Sequence, residues 1–298
     1  MTNSNVKVGP HLIGADQPLV FIAGPCVIEG RDVVRRIAGR LISIMNECHA
    51  PLIFKASYDK ANRSSITSFR GPGLVPGLEI LRHIREEFGI PVTSDIHDLS
   101  QVEPAAEALD LVQIPAFLCR QTDLVVEAAR QARAINIKKG QFVSPEAMGE
   151  IIAKATSTGQ RRLLVTERGS FFGYGDLVVD MRSFPRMKKH GFPVVFDATH
   201  SVQKPAALGS RSGGERYLAP TLAAAAVAAG CDAVFMEVHE DPDSALSDGP
   251  NMLPLEWLPH LISRLQALRS VLLSSRQPAE SHASFDPTLD EPSGHEEG

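Results

Sequence analysis

The sequence predicts an α/β protein built as a single TIM (β/α)8 barrel. Eight short apolar runs alternate with longer helical segments, the count fits the length, and no GxGxxG turn follows the first run.

The apolar runs, rich in Val, Ile, Leu and Phe, lie at 19–26, 52–58, 91–97, 111–117, 135–140, 163–169, 193–200 and 233–239. Nearly continuous apolar runs of this length read as parallel strands buried on both faces. Helical periodicity fills 32–47, 77–88, 123–134 and 145–155, and an amphipathic segment at 255–273 closes the ring. Eight β/α units in roughly 250 residues match the size of such a barrel. A doubly wound open sheet shares the alternation, but the count of eight and the missing dinucleotide turn favour the barrel. Residues 6–14 read as a small hairpin plugging the barrel bottom. The barrel domain is placed at 1–276. Residues 277–298, rich in Pro, Ser, Asp and Glu, read as a disordered acidic tail.

The 298 residues are 43% hydrophobic and 22% charged, which suits a globular core. A net charge of −5 argues against a general nucleic-acid binder, so an anionic substrate needs a local positive site. The four cysteines (Cys26, Cys48, Cys119, Cys231) form no CxxC pair, which argues against a disulfide framework or a zinc finger. The first 18 residues carry no apolar stretch of signal-peptide length. The most apolar helical stretch, 222–229, is too short to span a bilayer. The expectation is a cytoplasmic protein with neither a nucleic-acid nor a membrane partner.

Each run starts apolar and finishes polar. The finishing residues are Cys26; Lys55 and Ser57; Asp95 and His97; Gln113; Lys138; Glu167 and Arg168; Asp197 and His200; Glu237 and His239. In a barrel these ends share one rim, where active sites are built. Lys and Arg embedded in LIFKAS, INIKKG and VTERG are costly to bury without an anionic partner. Lys55, Lys60, Arg63, Lys138 and Arg168 together suit at least two dianionic groups, Arg as a bidentate fork and Lys as a point charge. In the loop YDKANRSS, Lys60, Asn62, Arg63 and Ser64 suit a phosphate and sugar hydroxyls. A lone barrel lysine would instead suggest Schiff-base chemistry, which stays open as an alternative. His200, Glu237 and Cys26 close neighbouring strands, and the loop after the eighth run offers Asp241, Asp243 and Asp248. Thiolate, imidazole and carboxylates form a mixed set for a divalent transition metal. By residue type alone, Cys26 reads first as a small buried hydrophobe, and His200 reads equally as an acid/base or a core residue. His83, His190 and His260 read as structural or solvated.

The segments IAGPC, FKASYDKANRSS, PGLEIL, PVTSDIH, VQIPAFLCRQTDL, NIKKGQF, TERGSFFGYGDLVVDMRSF, FDATHSVQ and SDGPNMLPL carry a resemblance running from about residue 6 to 273. They resemble the 3-deoxy-D-manno-octulosonate 8-phosphate synthases, also called 2-dehydro-3-deoxyphosphooctonate aldolases. The resemblance implies a TIM barrel, usually a homotetramer, that condenses phosphoenolpyruvate with D-arabinose 5-phosphate and water and releases phosphate, for the inner core of lipopolysaccharide. The family has metal-dependent and metal-independent forms, and the latter carry Asn where this chain has Cys26. Cys26 therefore implies the metal-dependent form, with Cys26, His200, Glu237 and Asp248 holding Mn²⁺, Co²⁺, Zn²⁺ or Fe²⁺. The same matching implies Lys55, Ser57, Lys60, Gln113, Lys138 and Arg168 for phosphoenolpyruvate. It implies Asn62, Arg63, Ser64, Phe117 and Arg120 for arabinose 5-phosphate, the last two near a neighbouring subunit. Lys55, Lys60, Asp95, Lys138 and His200 are implied as catalytic. The acidic tail and the stretch AALGSRSGGER depart from the family pattern. Two rivals stand. A 3-deoxy-D-arabino-heptulosonate 7-phosphate synthase would carry a KPRTS-like stretch where this chain reads KANRSS. A non-catalytic sugar-phosphate-binding barrel would not need every expected ligand, yet this chain keeps them all.

Overall fold

The computed structural model describes residues 4–62, 65–204 and 213–275. Eight strands, β1 (Val20–Gly24), β2 (Leu52–Lys55), β3 (Val92–Asp95), β4 (Leu111–Ile114), β5 (Ile135–Lys138), β6 (Leu163–Glu167), β7 (Val194–Asp197) and β8 (Ala233–His239), run parallel. Neighbours pair in chain order from β1 to β7, and β8 pairs with both β1 and β7, so the sheet closes into the expected barrel. Strands β1 to β7 are shorter than their apolar runs because the polar end of each run already turns into the rim loop, whereas β8 fills its run.

The outer ring is α1 (Arg31–Glu47), α2 (Leu74–Phe88), α3 (Val102–Ala108), α4 (Thr122–Gln131), α5 (Met148–Thr156), α6 (Ser183–Lys188), α7 (Ala219–Ala228) and α8 (Leu258–Ser274). Two of these, α3 and α6, left no clear period in the sequence because seven and six residues make barely two turns. Helix α5 starts at Met148, later than its periodicity suggests, because Ser144 Oγ accepts the Ala147 N–H at 3.1 Å and holds the preceding residues in a turn.

Period-two alternation sorts each strand into an inward and an outward row. Val20, Ile22, Ile53, Leu111, Leu164, Val195, Ala233 and Phe235 form the interior cluster. Phe21, Phe54, Val112, Ile137, Val165 and Phe196 face the helices in a second, larger cluster. Continuing the inward row upward brings Lys55, Asp95, Gln113, Lys138, Asp197 and Glu237 to one end of the barrel. Gly24 lets β1 and β2 approach at that height: a Cβ there would lie 1.9 Å from the Lys55 carbonyl oxygen.

The opposite end is closed as the sequence suggested. Val6–Val8 pairs with His11–Ile13 as an antiparallel hairpin, and Val6, Val8 and Ile13 join the interior cluster. Arg269 of α8, only 2% exposed, fastens the chain that follows the hairpin. Its guanidinium donates to the carbonyls of Gly14 at 2.7 Å, Gln17 at 2.9 Å, Ala15 at 3.0 Å and Cys231 at 3.2 Å. Asp232 lies 3.6 Å away and accepts from Lys188 at 2.8 Å.

Among the described residues no helix is long and apolar enough to cross a membrane. The expected tail and the residues 205–212 of the Gly- and Ser-rich stretch lie outside the described residues, as do Arg63 and Ser64.

Replacing Arg269 with Met keeps the length of the side chain but leaves four carbonyls without their donor. Arg269→Met should lower the unfolding free energy by about 3 kcal/mol, read from the denaturant midpoint at constant slope.

Candidate active site

The rim formed by the strand ends encloses one pocket, lined by Lys55, Lys60, Asn62, Asp95, His97, Phe117, Lys138, Gln141, Arg168, His200, Gln203, Glu237 and Asp248. Two buried ion pairs organise it. The Lys55 ammonium, 1% exposed, pairs with Glu237 Oε1 and donates to the Cys26 carbonyl at 2.8 Å, tying the ends of β2, β8 and β1 together. The Lys138 ammonium donates to Asp197 Oδ2 at 2.7 Å, linking β5 to β7. The Phe235 ring lies beneath both cations, 3.8 Å from Lys138 Nζ and 5.6 Å from Lys55 Nζ, and its face favours positive charge.

Lys60 reaches the same carboxylate, 3.8 Å from Glu237 Oε1. Its loop is held by the Lys60 N–H on the Arg70 carbonyl at 2.8 Å and by Arg70 on Asp59 at 2.8 Å. Arg168 is 4% exposed, with one amino group donating to Gln203 Oε1 at 3.1 Å and the other without a hydrogen-bond partner. Burial lowers its pKa, partly offset by Asp197 and Glu167, but the group remains cationic. An unsatisfied guanidinium nitrogen at a pocket wall is a ready donor for an oxyanion.

Asp95 receives Ser57 Oγ at 2.7 Å and the Gln113 amide on its other oxygen. Ser57 and Gln113 therefore stand behind Asp95 rather than on the pocket wall. Burial raises the Asp95 pKa, but Lys55, Lys138 and Lys60 outweigh it and hold the carboxyl below its usual range. Glu237 and Asp197 follow the same pattern: burial opposes ionisation, while Lys55 and Lys60 on Glu237, and His200 and Lys138 on Asp197, keep them ionised.

Among the described residues, Cys26, Glu237 and Asp248 bring a sulfur and two carboxylate oxygens within 4.8 Å of one another. His200 stands beside them, Nε2 at 3.7 Å from Glu237 Oε2. Its Nδ1 is 2.9 Å from Asp197 Oδ2 without hydrogen-bond alignment, and its backbone N–H donates to Asp197 Oδ1 at 2.9 Å. Glu237 Oε2 is buried and has no hydrogen-bond partner. Cys26 Sγ lies 3.3 Å from Asp248 Oδ2 and 3.4 Å from Ser247 Oγ. Burial, reinforced by Glu237, pushes the thiol well above its usual pKa, so it is a protonated donor until a cation replaces the proton. A thiol, two carboxylates, an imidazole and an orphaned carboxylate oxygen fit a divalent transition metal. Asp241 caps the turn after β8, its Oδ1 accepting the Asp243 N–H at 3.3 Å, while Asp243 pairs with Arg216 at 2.6 Å.

Phe117 lines the pocket and is half exposed. Arg120 is exposed and away from the pocket, its carbonyl accepting from Lys154 at 3.1 Å. Sequence reading missed Phe235, Gln141 and Gln203, which carry no distinctive residue type. It named Asp197 only as a strand end, although its place in the inward row above Val195 signals a partner for Lys138.

The whole barrel has known counterparts. The model of the DAHP synthetase I family matches residues 3–274. The chain belongs to the DAHP synthetase I family. A 2-dehydro-3-deoxyphosphooctonate aldolase of Geotalea uraniireducens (strain Rf4) is 59% identical over 267 residues, covering 90% of this chain and 98% of that protein. Proteins of the same name from Geotalea daltonii and Geobacter sulfurreducens are 58% and 56% identical over the same shares. Within this family assignment the pocket described above is the candidate active site.

The three depressed carboxyls carry a pH signature. A carboxyl whose folded pKa lies below its unfolded value stabilises the fold above the ordinary carboxylate range and loses that contribution as protons return. The thermal midpoint should hold from about pH 7 to about pH 5 and fall steeply below about pH 4. Asp197→Asn should lie lower at neutral pH and fall less steeply in acid. A midpoint unchanged down to about pH 2.5 contradicts the ion-pair assignment.

Proposed function

We propose that the chain condenses phosphoenolpyruvate with D-arabinose 5-phosphate and water to 3-deoxy-D-manno-octulosonate 8-phosphate and phosphate, a supply step for lipopolysaccharide. One observation carries this reading: relatives bearing that enzyme name match the chain over 98% of their length, and the cationic pocket lies within the matched barrel.

The residues suit the chemistry. Phosphoenolpyruvate brings a carboxylate and a phosphate, and Lys55, Lys60, Lys138 and Arg168 offer four cations from strand ends 2, 5 and 6 and the loop after β2. Arg168, with a free amino group, suits the phosphate; Lys138, beside Asp197 and above Phe235, suits the carboxylate end. Ser57 and Gln113 support this site through Asp95. Asn62, with Arg63 and Ser64 of the same loop, is assigned to the sugar phosphate. In the condensation C3 of phosphoenolpyruvate attacks the aldehyde carbon while water adds at C2, and the resulting tetrahedral carbon expels phosphate. Fixed cations stabilise negative charge where it grows, without reorganisation during the step. His200, oriented by Asp197, and Asp95 are the groups placed to hold or move a proton.

The pocket wall carries four cations and three carboxylates, with Asp197 directly behind. Such a balanced wall attracts a trianion poorly. A divalent metal held by Cys26, His200, Glu237 and Asp248 tips that balance and supplies Lewis-acid polarisation of a carbonyl or water oxygen. Mn²⁺, Co²⁺, Zn²⁺ and Fe²⁺ all tolerate this donor set.

A homotetramer is part of this reading. Phe117, Phe142, Phe171 and Phe172 stand 46–71% exposed around the rim of β4 to β6, an apolar surface suited to a second copy. Arg120 then serves a neighbour's sugar phosphate. A cytoplasmic location is part of the same reading, and no described helix is long and apolar enough to cross a membrane.

Two outcomes test the proposal. Phosphate release should require both phosphoenolpyruvate and arabinose 5-phosphate, with erythrose 4-phosphate turning over at least about 100-fold less well. Preference for erythrose 4-phosphate overturns the choice of aldose. Exhaustive chelation should abolish turnover and Mn²⁺ or Co²⁺ should restore it, while Cys26→Ser loses bound metal by elemental analysis. Full activity in metal-free enzyme removes the metal from the reading.

A further inference from the structure

Beneath the pocket, one row of polar side chains crosses four adjacent strands inside an otherwise apolar barrel. Asp95 on β3 is the register partner of Gln113 on β4, and Gln113 is the register partner of Asn136 on β5. Thr166 on β6 completes the row. Gln113, Asn136 and Thr166 are at most 1% exposed, and none of them lines the pocket. They bond to each other in sequence: Thr166 Oγ1 donates to Asn136 Oδ1 at 2.7 Å, Asn136 Nδ2 donates to Gln113 Oε1 at 3.0 Å, and Gln113 Nε2 donates to Asp95 Oδ1.

The direction of this chain is forced. An ionised carboxylate accepts only, so Gln113 must present its NH₂ to Asp95. Its carbonyl oxygen then faces Asn136, which must answer with its own NH₂, and the Asn136 oxygen is left for a hydroxyl. Reversing either amide places oxygen against oxygen in a dry interior, where an unmatched polar group is expensive. Ser57 Oγ fixes the other Asp95 oxygen at 2.7 Å.

We infer that Asn136 and Thr166 are positioning residues that act on the reaction through Gln113, by locking the rotation of the Asp95 carboxylate. This rests on the condensation reading. Asp95 faces Lys55, Lys60 and Lys138 within an anion pocket. A carboxylate there does not help bind phosphoenolpyruvate in the ground state. Beyond its pairing with the lysines, it serves a group that gains positive charge or sheds a proton during turnover, so loosening it should slow kcat and spare substrate affinity.

The test is a double-mutant cycle on Asp95 and Asn136, with phosphate release and calorimetric phosphoenolpyruvate binding measured on each metal-loaded protein. Asn136→Leu, close in shape but without donors, should lower kcat at least about 10-fold and keep phosphoenolpyruvate affinity within about 3-fold at one site per chain. Asp95→Asn should lower kcat further. The double variant should match Asp95→Asn within about 2-fold, because Asn136 has nothing left to act through. Thr166→Val should lose several-fold in kcat, and Thr166→Ser, which keeps the hydroxyl, should retain it. The binding stoichiometry counts folded sites, so misfolded protein does not mimic the result. Multiplying losses in the double variant, full turnover in Asn136→Leu, or affinity falling in step with kcat overturns the inference while leaving the condensation reading intact. Wild-type enzyme that releases no phosphate overturns both.

Discussion

Lys55 lies at the top of a barrel lined by Ile, Leu, Val and Phe, and only 1% of it is exposed, at the pocket floor. A lone charge at that depth would destabilise the rim. Glu237 on β8 offsets that cost, and the Cys26 carbonyl accepts a further N–H of the same ammonium. This one cation thus links three strand ends where the barrel closes. Lys60 depends on the same carboxylate, and the remaining Glu237 oxygen is left bare, facing His200. The polarity of the metal-fitting corner follows from how Lys55 is neutralised. Lys138 on β5, with Asp197 and His200 at the end of β7, repeats the device, with Phe235 as the shared floor.

Charge compensation of this kind makes the pocket electrically balanced but not inert. Each of the three lysines is already engaged by a carboxylate on a rigid strand, so an incoming phosphate or carboxylate trades partners with fixed groups instead of gathering mobile ones. The geometry is set before ligand arrives. The polar row under Asp95 extends this rigidity one layer below the surface that a substrate touches.

The fold was largely legible because parallel strands write continuous apolar runs and the barrel imposes a strict inward–outward alternation. That alternation also separates the two lysines of INIKKG. Lys138 points into the barrel, while Lys139 points outward to Glu167 at 3.3 Å and to a ring of carbonyls. Glu167 and Arg168 divide in the same way. What stayed hidden depends on neighbours far apart in the chain. Asn136 and Thr166 are ordinary polar residues in sequence, and their meaning appears only when the register sets Asn136 beside Gln113 and Thr166 reaches Asn136 from the next strand. By residue type Cys26 reads first as a core hydrophobe, and its burial agrees; the resemblance names it a metal ligand, and the approach of Asp248, 222 residues later, and of Glu237 fits that expectation. The resemblance assigns Ser57 and Gln113 to phosphoenolpyruvate, and in the structure their side chains hydrogen-bond Asp95. Helices α3 and α6 were too short to show a period.

The seal at the other end of the barrel has a temporal consequence. The carbonyls of Gly14 and Gln17 receive their donors from Arg269, 255 and 252 residues further along. β1 likewise waits for β8. A ribosome making this chain releases the plug hairpin before any barrel strand, yet the fastener that locks it follows all eight. Through most of translation the nascent barrel is an open sheet with two unpaired edges and a loose stopper. Such a chain is exposed to misassembly until its final helix docks, and losing α8 would undo the first residues as surely as the last.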